Sequence, residues 1–200
     1  FDVLDLTKNS NFEECCYLLL HDHLPNQKEF DEFTTKLRDA RAIPEPMQKN
    51  MKNWRKNAHP MDVLQAFVAA LAGYYDEKGS DKEISHQRAI NLIAKVPTII
   101  ASWHRVRNDK EPIQPDSNLS HAANFLYMLT GEKPDKEMER VFDVCLILHA
   151  DHTFNASTFA AREVASTRAH MYSAVSAAVG ALSGELHGGA NFEVMKMLLD

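Results

Sequence analysis

Leu186-His187-Gly188-Gly189-Ala190-Asn191 joins two helical patterns: a small apolar run, 172–182, before it and an amphipathic segment, 192–199, after it. Of the seven glycines in the chain, Gly180, Gly184, Gly188 and Gly189 fall in or just before this junction. Two glycines behind a histidine let the backbone take a positive φ or approach a neighbour closely. The first N–H groups of the following helix lack intrahelical partners and attract negative charge. An imidazole beside that positive helix end is suited to act as a neutral hydrogen-bond donor. The same spelling also serves a plain turn whose histidine caps the helix, and spacing alone does not separate the two readings.

Outward from this junction the pattern is helical almost throughout. Ser10 with Glu13 and Asn26 with Glu29 have the capping-box spacing, and Phe12, Cys15, Cys16 and Leu19 recur at helical intervals behind the first. Pro44 and Pro46 break the chain ahead of a short helix marked by Met47, Met51 and Trp54. Pro60 suits a first helical position and leads into Leu64, Phe67, Val68 and Leu71. Ser80 and Glu83 open a long helix to Asn108, with a kink expected at Pro97. The polar stretch 109–120 reads as a loop, and the helix 119–129 closes at Gly131. Pro134 begins another, whose apolar face is Met138, Val141, Phe142, Cys145 and Leu148, and 157–167 and 172–183 complete the set. No period-2 alternation occurs, so the expected fold class is all-α.

At 200 residues, 22.6 kDa and 44% hydrophobic, the chain can bury one sizeable core. A net charge of −6 and a pI near 5.9 argue against nucleic-acid or anionic-membrane partners. No apolar run approaches the ~20 residues that span a bilayer. Phe1-Asp2-Val3 has neither a basic nor an apolar leader character and no initiator Met, so the chain reads as a fragment or processed product. Three cysteines, Cys15, Cys16 and Cys145, make a poor disulfide framework and point to a reducing, cytoplasmic setting.

Among the ten histidines, His21, His23, His86 and His104 lie in polar helical surroundings and read as solvated or capping. His59 and His170 stand at helix entries, and His121 suits a core position satisfied by a backbone group. His149-Ala150-Asp151-His152 is a denser cluster, open to three readings: a divalent metal site, an anion pocket built from imidazole donors, or structure.

Taken together, His149-Ala150-Asp151-His152-Thr153-Phe154-Asn155-Ala156-Ser157-Thr158-Phe159 and the Leu-His-Gly-Gly-Ala-Asn stretch resemble the citrate synthase family. Phe1-Asp2-Val3-Leu4-Asp5-Leu6, His59-Pro60-Met61 and Leu92-Ile93-Ala94-Lys95-Val96-Pro97 resemble further stretches of it, so the likeness spans the chain. The resemblance implies a multi-helical large domain over 1–184 and, over 185–200, the crossover into a smaller mobile domain. It implies a homodimer packed through the helices around 66–72, 84–107 and 172–183. It implies a Claisen-type condensation of acetyl-CoA with oxaloacetate, both substrates, with no further cofactor and no metal. By position, His187 is implied as the donor to the thioester carbonyl, and His152 and Asn155 as oxaloacetate contacts. Ser157 is implied as the hydrogen-bond partner of the catalytic imidazole, and His149 as support. Thr153 stands where a glutamate often follows in the family, and Glu185 where a proline is common. The catalytic aspartate, a second histidine and the substrate-binding arginines are implied downstream of Asp200, so these 200 residues alone are expected to lack turnover. The alternatives are a 2-methylcitrate synthase using propionyl-CoA, a non-catalytic helical dimerisation fragment, and a metal hydrolase built on His149, Asp151 and His152.

Overall fold

The computed structural model describes residues 1–151, 153–189 and 195–197. Its elements are α1 (Val3–Asn9), α2 (Phe12–His21), α3 (Gln27–Asp39), α4 (Glu45–Met51), α5 (Pro60–Ala70), α6 (Asp81–Arg107), α7 (His121–Thr130), α8 (Lys136–His149), α9 (Ala156–Ser166) and α10 (Met171–Leu182). A 3-10 turn, Leu71–Gly73, follows α5. No strand occurs among the described residues, so the fold class is all-α as expected.

Most helix starts are closed by nearby side chains. Asn26 and Glu29 form a complete capping box, with bonds of 3.0 and 2.8 Å. Ser80 and Glu83 pair in the same way ahead of α6. Ser120 and Asp135 cap α7 and α8, accepting from Ala123 and Met138. His59 and His170 each accept a backbone N–H at the entries to α5 and α10. At α2 the cap lies one residue later than the spelling indicates. Asn11 accepts from the Glu14 N–H, while Glu13 turns inward. The long helix α6 continues across Pro97, which has no N–H to bond the preceding turn.

The chain divides into two compact units, Phe1–Asn53 with Ala89–His152, and Trp54–Arg88 with Thr153–Asp200. In the first, Cys16, Tyr17, Phe33 and Leu37 of α2 and α3 close on Ile90 and Ala94 of α6. Each large apolar side chain buried there contributes about 1.5–3 kcal/mol. Polar ties join the same elements. The Thr98 hydroxyl donates to the Arg41 carbonyl at 2.8 Å, and the Lys95 ammonium donates to the Ala40 carbonyl. Arg41, 2% exposed, donates in turn to the Asp116 and Leu119 carbonyls, pinning the loop ahead of α7. Burial lowers Arg41 to about 10 and Lys95 to about 8. Two helix starts are closed from a distance: the Phe12 N–H donates to Asp143 at 2.9 Å and the His121 N–H to Glu13 at 2.7 Å.

Helix α8 departs from the sequence expectation. Met138 and Val141 are each 55% exposed and Leu148 is 48% exposed, and Cys145 is exposed too. The buried positions are instead Asp143 and Ile147. Phe142 is half-buried, stacked on Phe125 with centroids 5.1 Å apart. Asp143 is drawn inward because it closes the start of α2 and pairs with Arg140, so α8 presents a partly polar face to its own unit.

In the second unit α10 packs on α9 and α5. Ser176 donates to the Gln65 carbonyl at 3.0 Å, and the Gln65 side chain fills the space beside Gly180 that a Cβ would need. Glu77, in the connection before α6, accepts from Tyr172 at 2.5 Å and from Arg88 at 3.1 Å. Burial alone would raise its carboxyl, but these hydrogen bonds outweigh it and hold it below the usual range. Among the described residues no helix is long and apolar enough to cross a membrane.

His121 makes the stability of the first unit depend on pH. It is 5% exposed, and burial, together with the nearby Arg41 charge, lowers it from 6.5 to about 4. The unfolded chain therefore takes up a proton below pH 6.5 that the folded chain refuses until about pH 4. The contribution is complete above pH 6.5 and is lost progressively as pH falls toward 4, amounting to about 3 kcal/mol. Denaturant titrations across this range should show that loss in the parent protein and a much flatter curve in His121→Phe. Parallel curves would mean that His121 is not the group responsible.

Candidate functional site

Helix α10 ends at Leu182, whose carbonyl lies among those that no later turn of the helix can satisfy. The chain folds back to supply the missing donor. The Gly188 N–H bonds the Leu182 carbonyl at 3.0 Å, and the His187 and Gly189 N–H groups bond the Gly184 carbonyl at 3.0 and 3.3 Å. A Cβ on Gly188 would run into the Leu182 carbonyl, and Gly188 is not among the residues with positive φ. Of the two uses open to this glycine, the structure shows close approach, and what it approaches is its own chain.

The returning turn carries the His187 imidazole to α9, where Nε2 lies 2.7 Å from the Ser157 hydroxyl. Ser157 is held in the first turn of α9 by the helix cap: Asn155 accepts the Thr158 N–H at 2.7 Å. Just ahead, Thr153 has φ 37°, a strained value for a β-branched residue. Phe154 and Phe159 are both exposed, with ring centroids 6.1 Å apart, and the Arg162 guanidinium lies over the Phe154 ring at 5.2 Å.

The structure thus brings Ser157 and His187 together and places Asn155 at the cap of the same helix. His149 belongs to the other unit, exposed at the end of α8, with Nδ1 2.7 Å from the Cys145 carbonyl. His152, Ala190, Asn191 and most of the expected helix 192–199 lie outside the described residues, although Met195–Met197 are helical. Among the described residues no three His, Cys, Asp or Glu side chains are grouped so as to hold a metal. The Leu182 carbonyl is the participant that sequence reasoning missed. A backbone acceptor has no residue signature, and only the density of glycines after α10 hinted at a tight return.

The Ser157–His187 pair has two chemical uses. In a nucleophilic triad the serine attacks and a carboxylate orients the second ring nitrogen. Among the described residues no carboxylate bonds to His187, so that arrangement is incomplete. In the other use, the serine holds one ring nitrogen and leaves Nδ1 to meet a substrate oxygen.

Residues 1–200 match the family model described as citrate synthase, C-terminal domain. The chain is 47% identical to the citrate synthase of Synechocystis sp. over 98% of its own length and 50% of that protein. It is 40% identical to the citrate/2-methylcitrate synthase of Bacillus subtilis, over 100% of its length and 54% of that protein. The crystal structure of citrate synthase from Pyrobaculum aerophilum superposes with a TM-score of 0.90 at 40% identity, over 96% of this chain and 50% of that one. The chain spans about half the length of the curated relatives it matches. Its sequence over its whole span and its backbone over nearly all of it agree with the same group of proteins: the chain belongs to the citrate synthase family.

Proposed function

We propose that this chain supplies part of the active site of a citrate synthase, an acyltransferase that condenses acetyl-CoA with oxaloacetate at the entry to the tricarboxylic acid cycle. The observation that carries this reading is the 2.7 Å contact between Ser157 Oγ and His187 Nε2. With the Ser157 hydroxyl donating, Nε2 is the acceptor and Nδ1 carries the proton of a neutral imidazole. Nδ1–H is then the donor to the thioester oxygen of acetyl-CoA. A carboxylate removes a proton from the acetyl methyl, and the C–H electron pair passes to the enolate whose oxygen His187 stabilises. The enolate carbon bonds the keto carbon of oxaloacetate, whose oxygen takes up a proton, and water cleaves the thioester to give citrate and CoA. The reaction needs no cofactor beyond its substrates. By the resemblance, His152 and Asn155 are the contacts on the oxaloacetate side. On this reading 1–184 form part of the large domain and 185–200 the start of the smaller one. The name of the Bacillus subtilis relative supports a second reading, in which propionyl-CoA replaces acetyl-CoA and 2-methylcitrate is the product.

A homodimer through α5, α6 and α10 accompanies this reading, supported by exposed small residues such as Ala69 and Ala70 on α5. A monomeric mass by light scattering of the intact protein would argue against it. The cytoplasmic setting is supported by the free thiols of Cys15, Cys16 and Cys145. Recovery of the native protein in a secreted fraction would oppose it.

In the intact protein, His187→Gly should lower kcat by ~10²–10³, the cost of losing one donor to a developing oxyanion, while the KM for oxaloacetate changes little. Ser157→Ala should lower kcat less, because the imidazole stays but is no longer held in one tautomer. Gly188→Ala should resemble His187→Gly in rate, since the added methyl displaces the turn from the Leu182 carbonyl. Helical circular dichroism should be retained in all three. Near-parental kcat in His187→Gly, with a lowered thermal midpoint, would leave His187 only a capping role. Comparing kcat/KM for acetyl-CoA and propionyl-CoA separates the two product readings.

A further inference from the structure

The first unit has an open cleft of ≈ 410 Å³ lined by α2, α3, α7 and α8. Six ionisable side chains line it, and the three carboxylates are already engaged. Glu13 accepts the His121 N–H, Asp143 accepts the Phe12 N–H and pairs with Arg140, and Glu139 accepts from Ser120 at 2.5 Å. Arg140 is spent as well, donating to the Ser10 and Thr7 carbonyls besides Asp143. Arg38 and Lys136 remain. Among the described residues neither side chain makes a hydrogen bond or ion pair, and the Arg38 Nε is out of reach of water without an acceptor. A buried donor left unpaired in a native protein calls for a missing partner. The cavity therefore has two spare cations and no spare carboxylate.

We propose that this cavity is a binding site for an oxyanion, taking the phosphate group of a small organic phosphate, with Arg38 and Lys136 as its principal ligands. The planar guanidinium fork of Arg38 suits two phosphate oxygens, and the Lys136 ammonium adds a compact point charge. The capping residues of α2 and α7, Asn11 and Ser120, also line the cavity, so the positive ends of two helices add to the same field. Glu13 and Asp143 are turned toward the Phe12 and His121 N–H groups and Arg140, which offsets their charge locally. The residues that line the cavity belong to the first unit, whereas Ser157 and His187 belong to the second.

The probe is inorganic pyrophosphate, titrated into the intact protein by calorimetry and followed by phosphorus NMR line broadening. Binding is expected with a Kd of about 1 mM or tighter. Arg38→Gln should weaken it ~10–100-fold, the loss of one charge-assisted contact, and exposed Lys136→Gln should weaken it several-fold. Arg38→Lys should recover only part, because it keeps the charge and loses the fork. His187→Gly should bind as the parent does, which distinguishes this cavity from the other unit's site. Absence of binding by the parent at about 10 mM overturns the proposal. So does equal binding by the parent, Arg38→Gln and Lys136→Gln. Competition by malonate at the strength of pyrophosphate would make carboxylates the ligand and overturn the phosphate assignment.

Discussion

Every α-helix begins with N–H groups that its own turns cannot satisfy, and α1 to α10 meet that demand one after another. Most of these starts are closed by a side chain within three positions. The starts of α2 and α7 need more, and their first N–H groups are taken by carboxylates distant in sequence, Asp143 and Glu13. Each carboxylate gives up water to reach its donor, so burial pushes both above the usual range. The arrangement is a relay: α8 carries the carboxylate that closes α2, and α2 carries the one that closes α7. Three helices are thereby held in one register.

The cations of the first unit follow from the same accounting. Arg41, Lys95 and Arg140 are bonded to backbone carbonyls at helix ends and loops, and Arg140 is paired with Asp143 as well. Their contribution is to specificity of connection more than to net stability, since a buried cation loses hydration that a carbonyl only partly replaces. The Arg38 side chain has no such acceptor among the described residues.

In the second unit the decisive terminus is a C-terminal one. The Leu182 carbonyl is satisfied by the Gly188 amide, and the residue just before that amide is His187. Ending α10 and aiming the imidazole at Ser157 are therefore one event. On the proposed reading His187 is a donor to a developing oxyanion, and an anchor of this kind holds it in place so that it need not reorganise during the reaction.

The sequence by itself determined the helical class and most helix starts. Asn26 with Glu29 and Ser80 with Glu83 are local pairs, bonded at i and i+3, and one turn of geometry decides them. Gly131 closing α7 with φ 100° is equally local. The tertiary structure decided which way α8 faces, because Met138, Val141 and Leu148 mark an apolar stripe while Asp143 on another side is needed at the start of α2. It also decided that Glu13 points inward and that Asn11 is the cap. For the site, the resemblance named Ser157 and His187 as partners, but composition and spacing held nothing to relate them. Their contact depends on how α9 and α10 pack and on a glycine that meets a backbone carbonyl. Local hydrogen bonds are legible from neighbouring residues because the chain itself sets their distance. Contacts between elements depend on which surfaces are buried together, and that choice is made by the whole fold.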